Sequence, residues 1–165
     1  MKVKFVKFDE NARIPEKVRP SDMGFDVYAV SEKEIAPNVW QYGLGFGLQI
    51  DRDCYMPMIG VNNDFDRSQS FFNNSSFNLS IDIRPRSSIY KTGLVLCNAT
   101  GTIDESYNGE IKLNFYHVLR SMERYHVGDK IAQMKLGMAF PMKFVEVDKL
   151  DDTDRGDGGF GSTGK

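Results

Sequence analysis

The sequence predicts an all-β fold. Strand-like runs rich in β-branched and aromatic residues recur along its whole length. Turn clusters separate them at short intervals, and no window sustains a helical period. Short strands at this spacing imply a sandwich or barrel.

Residues 3–8 open the chain with apolar residues mixed with lysine. The run 25–30, FDVYAV, is dense in strand formers. Residues 39–50 read as one strand, in which Leu44, Phe46 and Leu48 alternate with glycines at 43, 45 and 47. Runs at 54–61, 77–83, 92–96, 111–119 and 130–140 follow. Arg19-Pro20-Ser21-Asp22, Ala36-Pro37-Asn38, Arg84-Pro85-Arg86-Ser87-Ser88 and Val127-Gly128-Asp129 supply turns between them. A short helical turn is expected over Ser87–Lys91. The stretch 62–76, NNDFDRSQSFFNNSS, is polar and reads as a long inserted loop.

Size and charge narrow the classes. At 165 residues the chain has single-domain length and can bury a core without disulfide or metal. A net charge of -2 argues against a nucleic-acid-binding domain, which would carry a basic stripe. The two cysteines, Cys54 and Cys97, are far apart and suit free thiols in a reducing compartment. With only His117 and His126 besides, a zinc site has almost no ligands. No apolar run reaches membrane-spanning length and the N-terminus lacks a signal-peptide core, so a cytoplasmic protein (host cytoplasm if viral) is expected, with no membrane partner.

Five segments carry chemistry. In GTIDESYNGEI, residues 101–111, a strand is expected to run through Ile103 and Asp104 into a tight Asn108-Gly109 hairpin turn and back along residues 110–113. Such a hairpin offers free backbone groups at its mouth to the edge of a flat base, with Tyr107 beside it and the Asp104 carboxylate at its rim. An ordinary polar surface hairpin fits the same residues. The tail, residues 155–164, contains G-x-G-x-x-G spacing and part of a phosphate-loop motif. Both fail on context, because the chain ends at Lys165 and no helix can follow. The physics beneath them survives: glycine-rich backbone approaches anions closely, Arg155 is a fork donor, Ser162 and Thr163 are hydroxyl donors, and Phe160 offers a flat face.

Arg84-Pro85-Arg86-Ser87-Ser88 forms a second anion corner, against the plainer reading of a serine N-cap. Gly24-Phe25-Asp26 places a carboxylate on a strand, either as a structural acceptor or as a distant ligand of hydrated magnesium. Gly128-Asp129-Lys130-Ile131-Ala132-Gln133 turns into a strand whose glutamine is equally suited to structure or ligand.

Taken together and in order, these segments resemble the five motifs of the trimeric dUTP diphosphatase (dUTPase) family. Residues 22–29, DMGFDVYA, resemble the first, A-G-x-D-L-x-A. Pro85-Arg86-Ser87-Ser88 resembles the second, residues 101–111 the third, residues 128–134 the fourth and residues 155–164 the fifth, R-G-x-G-G-F-G-S-T-G. The likeness runs from about residue 20 to the end. Ser88 stands where glycine is commoner, Met23 departs from the usual small residue, and the 62–76 insertion precedes the second motif where most members have a short connection.

The resemblance implies a distorted jelly-roll or β-clip-type barrel over residues 1–154. It also implies a homotrimer, with residues 155–165 as a flexible arm crossing to a neighbouring subunit. Ten extended residues span roughly 33 Å, enough for that crossing. It implies hydrolysis of dUTP to dUMP and pyrophosphate, keeping uracil out of DNA and supplying dUMP for thymidylate synthesis.

Asp104 is then the general base for water attack at the α-phosphorus. Tyr107 packs under the deoxyribose. Asn98 and the backbone of Gly101, Thr102, Ile103 and Lys112 read uracil. Arg86, Ser87, Ser88 and Gln133 hold phosphates. Arg155, Gly161, Ser162 and Thr163 close over the γ-phosphate, Phe160 stacks on the base, and Asp26 supports Mg²⁺ through water. A dCTP deaminase shares the fold but needs a glutamate in a G-x-I-x-L-E run. Here Gly109-Glu110-Ile111-Lys112-Leu113 ends at Asn114. A catalytically silent nucleotide-binding protein on the same fold is the other alternative.

Overall fold

The computed structural model describes residues 2–51 and 78–158. The expected strand at 54–61, the 62–76 loop and the tail from residue 159 lie outside the described residues. Within them the chain forms β1 (Lys2–Lys7), β2 (Phe25–Tyr28), β3 (Ser31–Ala36), β4 (Val39–Gly43), β5 (Phe46–Asp51), β6 (Asn78–Pro85), β7 (Leu94–Leu96), β8 (Gly101–Asp104), β9 (Lys112–His117) and β10 (Lys130–Ala139). The only helical element among them is the 3-10 turn Ser87–Lys91, where the sequence places it. The fold is all-β.

Two four-stranded sheets, ordered β2-β10-β6-β8 and β3-β4-β9-β7, share one core, and β1 pairs with β5 in a smaller ribbon. The strand pairs are antiparallel. Period-2 alternation builds the core. Leu79, Ile81 and Ile83 point inward from β6, opposed by Leu113 and Phe115 of β9 and Leu94 and Leu96 of β7. Tyr42, Phe115 and Tyr125 meet edge to face, with ring centroids 5.7 to 6.4 Å apart.

Three expectations are corrected. The run 39–50 is two strands, not one. Gly45 takes φ +69°, and its carbonyl accepts from Phe8 and Asp9, so the chain leaves the β4 sheet and joins β1 as β5. The strand β3 was not foreseen. Its sequence, SEKEIA, is charged, but it lies at a sheet edge, where charged side chains discourage pairing with another chain.

The third correction is the hairpin at 101–111. β8 pairs with β6, and β9 pairs with β4 and β7, so the two do not pair with each other. The tight turn falls at Asp104–Tyr107, and neither Asn108 nor Gly109 has the positive φ of a primed turn. Glu110 holds the separated segment: its Oε1 accepts from the Gly45 N–H at 3.1 Å, and its Oε2 lies 3.1 Å from Lys112 Nζ. Beyond Ala139 the chain to residue 158 contains no strand, and Phe140, Met142, Phe144, Val145, Val147 and Leu150 are exposed.

Candidate active site

The separation of β8 from β9 creates a crevice. Among the described residues β8 is the last strand of its sheet, so one edge of its backbone has no strand partner there. On β9, the ladder to β7 begins only at Phe115, which leaves Lys112 and Leu113 without a β7 partner. Between these two edges lies a cavity of about 370 Å³, lined by Thr102, Ile103, Asp104 and Tyr107 on one side and Gln41, Ile111 and Lys112 on the other, with Glu110 at its rim. This is the size range of small-molecule sites. Two unsatisfied strand edges facing each other present donors and acceptors to the rim of a planar ring.

Asp104 ends β8 opposite Ser80 and is exposed. Its carbonyl accepts from the Tyr107 N–H at 3.0 Å, closing the turn that brings the aromatic ring beside the carboxylate. The Tyr107 hydroxyl donates to the Glu110 carbonyl at 2.9 Å. Lys112 Nζ pairs with Glu110 Oε2 at 3.1 Å, and both residues line the crevice. Asn98 lies on the exposed connection after β7, its amide against Gly101 at the start of β8.

A second cluster gathers around Asp26, the one buried polar or charged residue among those described, at 3% exposure. Lys130 Nζ donates to its Oδ2 at 2.9 Å, Gln133 Nε2 to its Oδ1 at 3.2 Å, and Arg86 Nε lies 3.5 Å from Oδ1. Burial pushes the Asp26 carboxyl up. The bonds from Lys130 and Gln133 and the charges of Lys130 and Arg86 outweigh it and hold the group below the ordinary carboxylate range. Lys130 balances the charge of Asp26, and Arg86 approaches the same carboxylate through Nε. Arg86 is also the N-cap of the 3-10 turn and makes no side-chain capping bond, so Ser87 and Ser88 do not cap it either.

Asp26 does not fit direct coordination of a magnesium ion. Its carboxylate is buried and both oxygens already face an ammonium, a guanidinium or an amide donor, so neither is open as an inner-shell ligand. It reads as the acceptor that organises Arg86 and Gln133.

The two clusters stand apart within one chain. Asp104 pairs with Ser80, and Arg86 lies six residues farther along from Ser80, roughly 20 Å at strand rise. One subunit therefore does not bring the Asp104 carboxylate to the Arg86 corner. Arg155 lies on exposed chain, its Nε donating to the Gly158 carbonyl at 2.9 Å. Phe160, Gly161, Ser162 and Thr163 fall outside the described residues.

Two residues, Gln41 and Lys130, escaped sequence reasoning. Gln41, on β4, lines the crevice and donates to Asn114 Oδ1 at 3.0 Å; only its polarity within an apolar strand marks it. Lys130 and Gln133 are three apart, which in a regular strand puts them on opposite faces. A register shift between Lys130 and Ala132 turns both toward Asp26.

The sequence model of the dUTPase family matches residues 45–164. A deoxyuridine 5'-triphosphate nucleotidohydrolase of Helicobacter pylori (strain Shi470) is 32% identical over 99% of this chain and 97% of its own. One from Nautilia profundicola is 30% identical over the full length of both. Among solved structures, the dUTPase of Staphylococcus bacteriophage 80alpha with dUPNHPP is similar in fold, at TM-score 0.70 and 20% identity over 99% of each chain. The dUTPase of phage phi11 of S. aureus, whose structure visualises a species-specific insert, gives TM-score 0.62 at 18% identity, covering 93% of this chain and 100% of that one.

Proposed function

The chain belongs to the dUTPase family and hydrolyses dUTP, and from that premise we propose how its residues divide the work. The observation that carries the reading is the crevice between β8 and β9, with Asp104 and Tyr107 at one end. Uracil enters edge-on and pairs with the backbone of Gly101, Thr102, Ile103 and Lys112, with Asn98 beside it. Pairing of this kind rejects cytosine, because the exchanged donor and acceptor leave buried groups unmatched. Tyr107 packs under the deoxyribose and leaves no room for a 2′-hydroxyl.

Asp104 takes a proton from a water molecule whose oxygen attacks the α-phosphorus. The bond from that phosphorus to the bridging oxygen breaks, pyrophosphate leaves, and dUMP remains. A carboxylate base within hydrogen-bond reach of water supplies about 10² to 10⁴ in rate. The rest comes from positioning and charge neutralisation of the phosphates. Arg86, Ser87, Ser88 and Gln133 supply these, followed by Arg155, Gly161, Ser162 and Thr163 of the tail, with Phe160 on the base. The substrate is written as the magnesium complex of dUTP, the ion carried by the triphosphate itself, and no residue is assigned to it.

The distance between Asp104 and Arg86 within one chain supports a homotrimer in which the base site of one subunit meets the phosphate corner of another. The exposed apolar residues from Phe140 to Leu150 suit contact with a neighbour. Residues 155–165 act as the arm that closes the shared site. No helix among the described residues is long and apolar enough to cross a membrane.

Hydrolysis in heavy-oxygen water tests the chemistry. The label is expected in dUMP; label in pyrophosphate would place the attack at the β-phosphorus and remove the geometry proposed for Asp104. Assaying dCTP for ammonia alongside separates the deaminase alternative.

A further inference from the structure

Glu110 is bonded in three directions. Its carbonyl accepts from the Tyr107 hydroxyl at 2.9 Å. Its Oε1 accepts from the Gly45 N–H at 3.1 Å, and its Oε2 lies 3.1 Å from Lys112 Nζ. It therefore ties the aromatic wall of the crevice to the bend between β4 and β5. That bend is a fixed point. The Gly45 carbonyl accepts from the N–H groups of Phe8 and Asp9 at 2.7 and 3.0 Å. On either side of it, the Leu44 N–H donates to the Ile111 carbonyl and the Ile111 N–H to the Phe46 carbonyl, each at 3.0 Å.

The space for this tie comes from Gly43. A Cβ at residue 43 would stand 2.5 Å from Glu110 Oε1, far inside van der Waals contact. Any larger residue there must push the carboxylate aside. Tyr107 in turn depends on its hydroxyl bond. It is 45% exposed and lies in the connection 105–111 between β8 and β9. A half-exposed ring has fewer packing contacts to fix it than a core residue has. The acceptor of its bond is a backbone carbonyl, so only movement of residue 110 can displace it.

We propose that Glu110 is a positioning residue for sugar selection: by anchoring its own backbone to Gly45, it holds its carbonyl under the Tyr107 hydroxyl and so keeps the ring set against a 2′-hydroxyl. The inference rests on the reading that Tyr107 packs under the deoxyribose. A carboxylate accepting from a backbone N–H makes a charge-assisted bond, stronger than a neutral one. The Lys112 ion pair is partly exposed and adds little to the anchoring. It offsets a negative charge at the rim of a crevice that receives a triphosphate.

The test reads the ratio of kcat/KM for dUTP to that for UTP in the full-length chain, together with the thermal midpoint. Glu110→Ala is expected to lower the ratio about three- to tenfold, the scale of one hydrogen bond. Gly43→Ala leaves Glu110 in the chain but crowds its carboxylate, and is expected to lower the ratio too. Glu110→Gln keeps an oxygen for the Gly45 N–H and is expected to recover most of it. In a Tyr107→Phe background, where the hydroxyl is gone, Glu110→Ala is expected to change the ratio no further. A merely structural glutamate would lower the midpoint and leave the ratio alone, which overturns the proposal. So does a ratio that falls as far in Glu110→Gln as in Glu110→Ala, or a further fall in the Tyr107→Phe background. An unchanged ratio in Gly43→Ala overturns it whether or not Glu110→Ala folds. Tyr107→Ala separates the two readings. A lowered ratio there with an unchanged one in Glu110→Ala overturns this proposal alone. An unchanged ratio in Tyr107→Ala overturns the sugar reading and the proposal with it.

Discussion

Lys130 Nζ stands 2.9 Å from Asp26 Oδ2, an ion pair between β10 and β2 that leaves Asp26 charge-balanced before Arg86 approaches it. Asp26→Asn would remove the negative charge and turn one of two acceptor oxygens into a donor at a 3% exposed position. A destabilisation of about 1–3 kcal/mol is expected from losing such bonds. The loss is expected to be the same with magnesium and with a chelator, measured by denaturant melts. A loss seen only with magnesium present would return Asp26 to metal binding.

The acid side of the stability curve follows from the same carboxylate. Its folded pKa is depressed below the unfolded value of about 3.9. The unfolded state therefore binds more protons in that window. The stabilisation is complete above the unfolded value and is lost as pH falls through the lower folded one. Glu32 adds to this: burial pushes it up, but Arg124 and His126 outweigh that and hold it low. Melts in the acid range are expected to show stability falling below about pH 4, and a shallower fall in Asp26→Asn. Equal slopes in the two proteins would contradict the assignment.

Gly109 and Tyr107 are closely packed. A Cβ at residue 109 would sit 2.6 Å from Tyr107 Oη and 2.8 Å from its Cζ. Gly109→Ala must therefore move the ring and break its bond to the Glu110 carbonyl. In the proposed site this ring excludes the 2′-hydroxyl. The preference for dUTP over UTP, as a ratio of kcat/KM, is expected to fall about tenfold or more, on the scale of one lost packing contact. An unchanged ratio would take Tyr107 out of sugar selection.

Truncation after Asp154 removes the arm. The described chain from residue 151 to 157 is exposed and makes local bonds, among them Arg155 to Gly158. Turnover is expected to fall sharply while the thermal midpoint moves by no more than about 1 °C, since the described residues removed, 155–158, carry little buried surface. Matching losses in both would contradict the closing role.

The fold was legible where local pattern and tertiary use coincide. The expected strand run 77–83 holds Leu79, Ile81 and Ile83 in alternation, all three buried, and the 3-10 turn begins at Ser87 as expected. The failures share one physical cause: each depended on a distant partner. Asn108-Gly109 is a strong local hairpin signal, but β6 pairs with β8 and β4 with β9, which draws the two strands apart. SEKEIA carries too much charge for a core strand, yet edge pairing with β4 suffices to hold it.

At the site, Asp104, Tyr107, Arg86 and Gln133 stand out in the sequence because their segments combine turn residues with ionisable groups. The sequence does not show that Lys130 and Gln133 share a face, because only a register shift makes that so. Nor does it show that Asp26 is buried against them.

The central claim is that the carboxylate at the end of β8 activates the attacking water. Steady-state hydrolysis of dUTP by Asp104→Asn, paired with the Kd of a non-hydrolysable dUTP analogue, tests it most directly. The rate is expected to fall about 10² to 10⁴ with the Kd nearly unchanged. Turnover equal to that of the parent chain, with the same Kd, would contradict it.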